Sequence, residues 1–74
     1  MKLKKHDAFK TLKDLDYRKL GGPFITMGTI LIITKVDRKG AKPTGKVLAD
    51  TGSHGQRAFT ARFFASQVVE KLAA

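Results

Sequence analysis

Apolar positions recur at helical spacing near both ends of the chain and at strand spacing in the middle. Over residues 6–16, Ala8, Phe9, Leu12 and Leu15 fall on one side of a helix. Asp7 stands where an N-terminal cap is wanted, and Lys4, Lys5, Lys10 and Lys13 spread over the opposite side. The "LGGP" stretch, Leu20 to Pro23, ends this unit. Next comes "GTILIITKVDR", rich in β-branched residues, which reads as the strongest strand. Ile30, Ile32, Thr34 and Val36 share one of its faces, and Thr29, Leu31, Ile33 and Lys35 the other. Its centre is apolar on both faces, which predicts cover on both sides, with a helix on one.

Asp37 to Lys46, "DRKGAKPTGK", reads as a loop, because Gly40, Pro43 and Gly45 interrupt regular structure. "KVLADT" and "QRAFTA" follow as a second and a third strand. Towards the end, Phe64, Val68 and Leu72 recur every four residues among helix-favouring Ala65, Gln67, Glu70 and Lys71. Phe63 and Val69 widen that stripe, and Thr60 is a suitable N-cap for a helix starting at Ala61. The predicted order is helix, strand, strand, strand, helix. The predicted fold class is α+β: a small antiparallel sheet or barrel with an N-terminal helix and a packed C-terminal helix. One domain is expected over 1–74, divided into a basic helical N-terminal segment at 1–22 and a strand-rich core with its helix at 23–74.

The run "GTILIITKVDRKG...PTGKVLADTGSHGQRAF" resembles the strand-loop-strand-turn-strand order of SH3-like small barrels, the superfold of KOW-type and Tudor-type modules. The resemblance covers roughly half the chain and rests on pattern rather than on a family signature. It implies a module that binds nucleic acid or protein rather than an enzyme.

Charge sharpens this picture. Fifteen Lys and Arg face six Asp and Glu, a net charge of +9 with a pI near 10.3. Such a balance draws nucleic acid, an anionic membrane or an acidic protein surface. The 74 residues contain no cysteine, so neither a disulfide nor a thiolate site is available. His6 and His54 lack ligand spacing, and neither a metal nor a cofactor is expected. The N-terminal lysines precede no apolar core of a signal peptide, and the stretch "PFITMGTILIITKV" is shorter than the roughly 20 apolar residues of a spanning helix. A cytoplasmic protein without membrane or small-molecule partners is expected.

"VLADTGSHGQRAF", Val47 to Phe59, carries the richest local chemistry. Asp50-Thr51-Gly52-Ser53 has the spelling of an aspartic-protease loop. That chemistry needs two carboxylates sharing a proton. Families resembling the motif carry a later hydrophobic-hydrophobic-Gly element, and no glycine follows Gly55. Gly52-Ser53-His54-Gly55 matches the spelling of the KH-type loop that clamps a nucleic-acid backbone, although β-favouring residues precede it here. The remaining readings are a turn between two strands and a turn that also contacts an anion through backbone N–H groups, Ser53, His54 and Arg57. Asp14 and Asp16 lie two apart, which on a helix does not pair them for catalysis.

The leading expectation is a small module that contacts the phosphates of DNA or RNA. The candidate residues are Lys35, Arg38, Lys39, Lys42 and Lys46 in the basic segment, Ser53, His54 and Arg57 near the turn, and the N-terminal lysines. Little sequence readout is expected, since the chain lacks Asn and has Gln only at 56 and 67. A stacking platform would draw on Tyr17 and one or two of the five Phe residues. The alternative is a stand-alone protein-binding regulator or inhibitor of phage or plasmid type, docking the same basic face on an acidic partner.

Overall fold

The β-branched run beginning at Ile30 forms the longest strand, and the other strands assemble around it. The computed structural model describes residues 3–72. Seven strands appear: β1 (Ala8–Thr11), β2 (Leu15–Asp16), β3 (Phe24–Ile25), β4 (Ile30–Lys39), β5 (Lys42–Asp50), β6 (Gln56–Thr60) and β7 (Val69–Lys71). Five make one antiparallel sheet in the order β6-β5-β4-β1-β7, and β2 pairs with β3 in a separate short arm. A 3₁₀ turn at Arg18–Leu20 forms the tip of that arm, and one short helix, α1 (Ala61–Phe64), bridges β6 and β7.

The sheet buries one face. Phe9, Leu31, Ile33, Val47 and Ala49 line it, and Leu3, Phe64 and Val69 complete the cluster. Phe9 meets Phe64 with ring centroids 4.8 Å apart, and Phe59 and Phe63 stack at 5.0 Å beside them. The arm adds its own buried pair, Leu15 and Ile25, which stand opposite each other.

The fold is mostly antiparallel β rather than α+β, and the corrections have physical causes. The N-terminal helix expected over 6–16 is absent, and the 1–22 segment is not a helical appendage. Phe9 and Thr11 point inward with no exposure while Lys10 between them is exposed, a period of two. Thr11 is the polar residue that disguised this alternation. It is buried but satisfied: its hydroxyl donates to the Thr26 carbonyl at 3.1 Å and accepts from the Thr29 N–H at 3.0 Å. Asp7 caps no helix; its carboxylate accepts from the Lys4 N–H at 2.9 Å.

The C-terminal helix lasts one turn. Thr60 does cap it, accepting from the Phe63 N–H at 3.1 Å. The Ser66 hydroxyl then donates to the Phe63 carbonyl at 2.6 Å and accepts from the Val68 N–H at 3.4 Å, competing with continuation of the helix. β-Branched Val68 and Val69 follow, and Val69–Lys71 supplies the outer partner of β1. Residues 37–46 are not a loop either: strand pairing continues to Arg38↔Pro43 and Lys39↔Lys42. Pro43 fits there because β6 covers β5 only from Lys46, so no ladder partner requires its missing N–H. The expected cover on both faces of β4 also fails, since Ile30 and Ile32 are each 41% exposed.

The packing makes a direct prediction. Phe64→Ala should lower stability by about 3–5 kcal/mol, whereas Leu12→Ala, at an exposed position, should change it by no more than about 0.5 kcal/mol. Urea unfolding of the two variants checks this, and an unshifted midpoint for Phe64→Ala would place the core elsewhere.

Candidate nucleic-acid interface

The long β4–β5 hairpin carries most of the predicted cations. It turns through Gly40 and Ala41, and Gly40 has φ of 63°, the left-handed backbone a two-residue hairpin turn uses at its first central position. Lys39 and Lys42 flank the turn directly opposite each other. Like charges in that position weaken a strand pair, and a bound anion relieves the repulsion. Arg38 sits opposite Pro43, and its guanidinium donates to the Ala41 carbonyl at 3.4 Å. Lys35, opposite Leu48, and Lys46, opposite Thr60, are exposed farther down the ribbon. Between these pairs Asp37 faces three residues of β5, and Gly45 takes φ of 91° in the resulting bulge.

The acids are engaged by other groups. Asp14 accepts from the Met27 N–H at 2.7 Å, Asp37 from the Thr44 hydroxyl at 2.6 Å, and Asp50 from the Gly52 N–H at 2.8 Å. Asp16 pairs with Arg18 at 2.9 Å and Asp7 with Lys71 at 3.9 Å. Glu70 stands opposite Lys10 across the β1–β7 ladder. Among the described residues, Lys35, Arg38, Lys39, Lys42, Lys46 and Arg57 therefore have no acidic partner within 4.0 Å.

The predicted site residues divide into two groups. Residues 51–55 connect β5 to β6 at the opposite end of β5 from the basic turn, roughly 25–30 Å away at about 3.3 Å per residue. Ser53 and His54 lie there, and Arg57 is opposite Ala49, close to that end, with its Nε donating to the His54 carbonyl at 3.2 Å. The turn is closed by its own hydrogen bonds. Thr51 N–H donates to the Gly55 carbonyl at 2.9 Å, Gly55 N–H to the Gly52 carbonyl at 3.3 Å, and His54 N–H to the Thr51 hydroxyl at 3.2 Å. An anion cradle would have to compete with these bonds for the same donors.

The "LGGP" stretch, punctuation by its sequence, builds a wall. Gly21 takes φ of 77°, and a Cβ at Gly22 would lie 2.8 Å from the Tyr17 Cβ, so the chain folds back tightly on Tyr17. The Gly22 N–H donates to the Tyr17 carbonyl at 2.9 Å, and the Tyr17 N–H to the Pro23 carbonyl at 3.1 Å. Between this wall and β6 lies a cavity of about 530 Å³, lined by Tyr17, Leu20, Pro23, Arg57, Phe59 and Phe63 among others. Burial pushes the Tyr17 hydroxyl pKa up. A second hollow of about 390 Å³, with Thr44, Thr60 and Arg62 in its lining, lies on the other side of Thr60. The paired glycines beside Tyr17 and Pro23 were the available signal, but only the fold brings them against Phe59 and Phe63.

Comparison of the chain with protein-family models, with curated proteins and with solved structures finds no match. Among the described residues, no helix is long and apolar enough to cross a membrane.

The arm tip carries a pH-sensitive contact. Arg18 donates to Asp16 through Nε and Nη2, each at 2.9 Å, and lies 5.0 Å from the centre of the Phe24 ring. These hydrogen bonds, first those from the side chain and then that from the Arg18 N–H, lower the Asp16 pKa from 3.8 to about 2. A lowered folded-state pKa gives stability that is present above the ordinary value and lost as pH falls towards about 2. Arg18→Ala should bring the Asp16 titration back towards 3.8, as carboxyl NMR can measure. An unmoved midpoint would show that Arg18 is not the cause.

Proposed function

We propose that the protein is a small nucleic-acid-binding module that holds phosphates along the β4–β5 hairpin with little sequence readout. The observation that carries this reading is the unequal placement of charge. Residues 35–46 gather five cations, Lys35, Arg38, Lys39, Lys42 and Lys46, against the single acid Asp37, and they include a like-charge pair at the turn. Phosphates supply the missing partners, and a two-stranded ribbon fits the major groove of a duplex. The absence of Asn makes adenine readout from this surface weak, so backbone contact dominates. A second reading, docking on an acidic protein, draws on Ile30 and Ile32, exposed on a sheet face that also presents Lys10.

Salt dependence distinguishes the two. If about three to five hairpin cations contact phosphates, the slope of log affinity for duplex DNA against log salt should be about −3 to −5. Replacing Arg38, Lys39 and Lys42 by Ala should flatten that slope by about two to three and leave sequence preference unchanged. The variant should fold normally, because exposed surface charges seldom alter stability by more than about 0.5 kcal/mol. Fluorescence anisotropy across a salt series measures the slope. Failure to bind DNA or RNA at about 150 mM salt, with retention of an acidic protein through nuclease digestion, would favour the protein-docking reading instead.

A further inference from the structure

We propose that the cavity between the arm and β6 accepts a base from a single-stranded nucleic acid. This inference rests on the phosphate-binding reading and names the strand state that the protein prefers. Pockets of about 300–1,000 Å³ take small organic ligands, and at about 530 Å³ this one has room for a nucleotide. Phe59 and Phe63 already stack with an interplanar angle of 22°, and Tyr17 forms part of the opposite wall. Such a slot suits a flat aromatic guest, since every base has a π-face.

Charge points the same way. Arg57 is the only charged residue in the lining, and no acid contributes to it. A cationic aromatic slot favours an anionic polymer that carries aromatic groups over a neutral peptide. The path out of the slot is also suitable. Thr60 lines both this cavity and the neighbouring hollow, where Thr44 and Arg62 lie beside the bulge of the basic hairpin. A strand leaving the slot past Thr60 therefore meets the Thr44 hydroxyl and the Arg62 guanidinium of the neighbouring hollow. A base held in a duplex is stacked and paired, so it cannot enter without being extruded.

The chain contains one Tyr and no Trp, so the ring resonances of Tyr17 report on the cavity unambiguously. The experiment titrates the whole protein with dT and U oligomers of about 10 nucleotides and with a DNA duplex, following Tyr17 by NMR and affinity by anisotropy. Both single strands, or one of them, should shift the Tyr17 ring signals, and the duplex should not. Tyr17→Leu keeps apolar bulk but removes the ring. It should weaken single-strand binding by roughly 5- to 150-fold, the range expected for loss of one stacked base. Duplex affinity should stay within about twofold, since the hairpin contacts are untouched.

If single strands bind with a steep salt slope but leave Tyr17 unmoved, the cavity assignment is wrong and the phosphate reading stands. If neither single strands nor duplex binds, both fail together. If a proline-rich peptide shifts Tyr17 and the oligomers do not, the cavity is a peptide groove and this inference is overturned.

Discussion

The structure depends on Phe9 being held inward by a four-residue strand paired on both sides. β1 has β4 as one neighbour and β7 as the other, and Phe9 has no exposure. Its contact with Phe64 brings α1 onto the sheet, so residues from both ends of the chain close over the same cluster. A chain this short without disulfides has little other means of closure. The same strand also fastens the arm. Thr11 exchanges backbone bonds with Thr29 and Gly28 while its hydroxyl engages Thr26 and Thr29. Core closure and the placement of the Tyr17 wall thus originate in neighbouring residues of one strand.

The treatment of charge follows from the many turns. Carboxylates close these turns well because they accept backbone N–H bonds, as Asp7, Asp14 and Asp50 do. Lys and Arg cannot accept such bonds. Asp7, Asp14, Asp16 and Asp50 accordingly sit at turns or strand ends, while Asp37 and Glu70 lie within β4 and β7. The net charge of +9 is therefore sorted in space as well as unbalanced in number. On the β4–β5 ribbon the single acid Asp37 stands among Lys35, Arg38, Lys39, Lys42 and Lys46, so the local field stays positive.

The middle of the chain was readable, and its ends were not. In the first half of β4 the faces follow from alternation, and Leu31 and Ile33 are buried as their shared face predicts; a bulge between Ile33 and Lys35 then exchanges the faces, so that Val36 packs on the core and Lys35 is exposed. β6 and the Thr60 cap were likewise visible in local chemistry. The ends misled for a common reason. Phe9 and Thr11 alternate as a strand does, but a buried Thr carries no hydrophobic signal, whereas Ala8, Leu12 and Leu15 imitate a helical stripe. At the other end, Phe64, Val68 and Leu72 do have helical spacing, yet Ser66 ends the helix and β1 supplies a ladder that no local pattern announces. The basic candidates on residues 35–46 share one hairpin, but their distance from Ser53 and His54 depends on the loop being a pair of strands. The cavity was less visible still, because Tyr17 and Phe63 are brought together only by tertiary folding.

A basic ribbon tip also has a bland explanation, since edge strands often carry Lys to prevent pairing with other chains. Its details exceed that need. Beyond Lys46 the tip has lost its β6 neighbour, and Pro43 already removes one donor from the exposed side of β5. Protection of the edge is thus supplied in part by a residue that carries no charge. Placing Lys39 directly across from Lys42 adds repulsion within the ribbon itself, in a two-stranded segment that is marginal on its own. Edge protection does not require that pairing, because a single Lys on either strand would serve. An anion bound at the tip would relieve that repulsion. The repulsion is tolerable because the tip extends past the Phe9–Phe64 cluster, and its strain is not transmitted to the core.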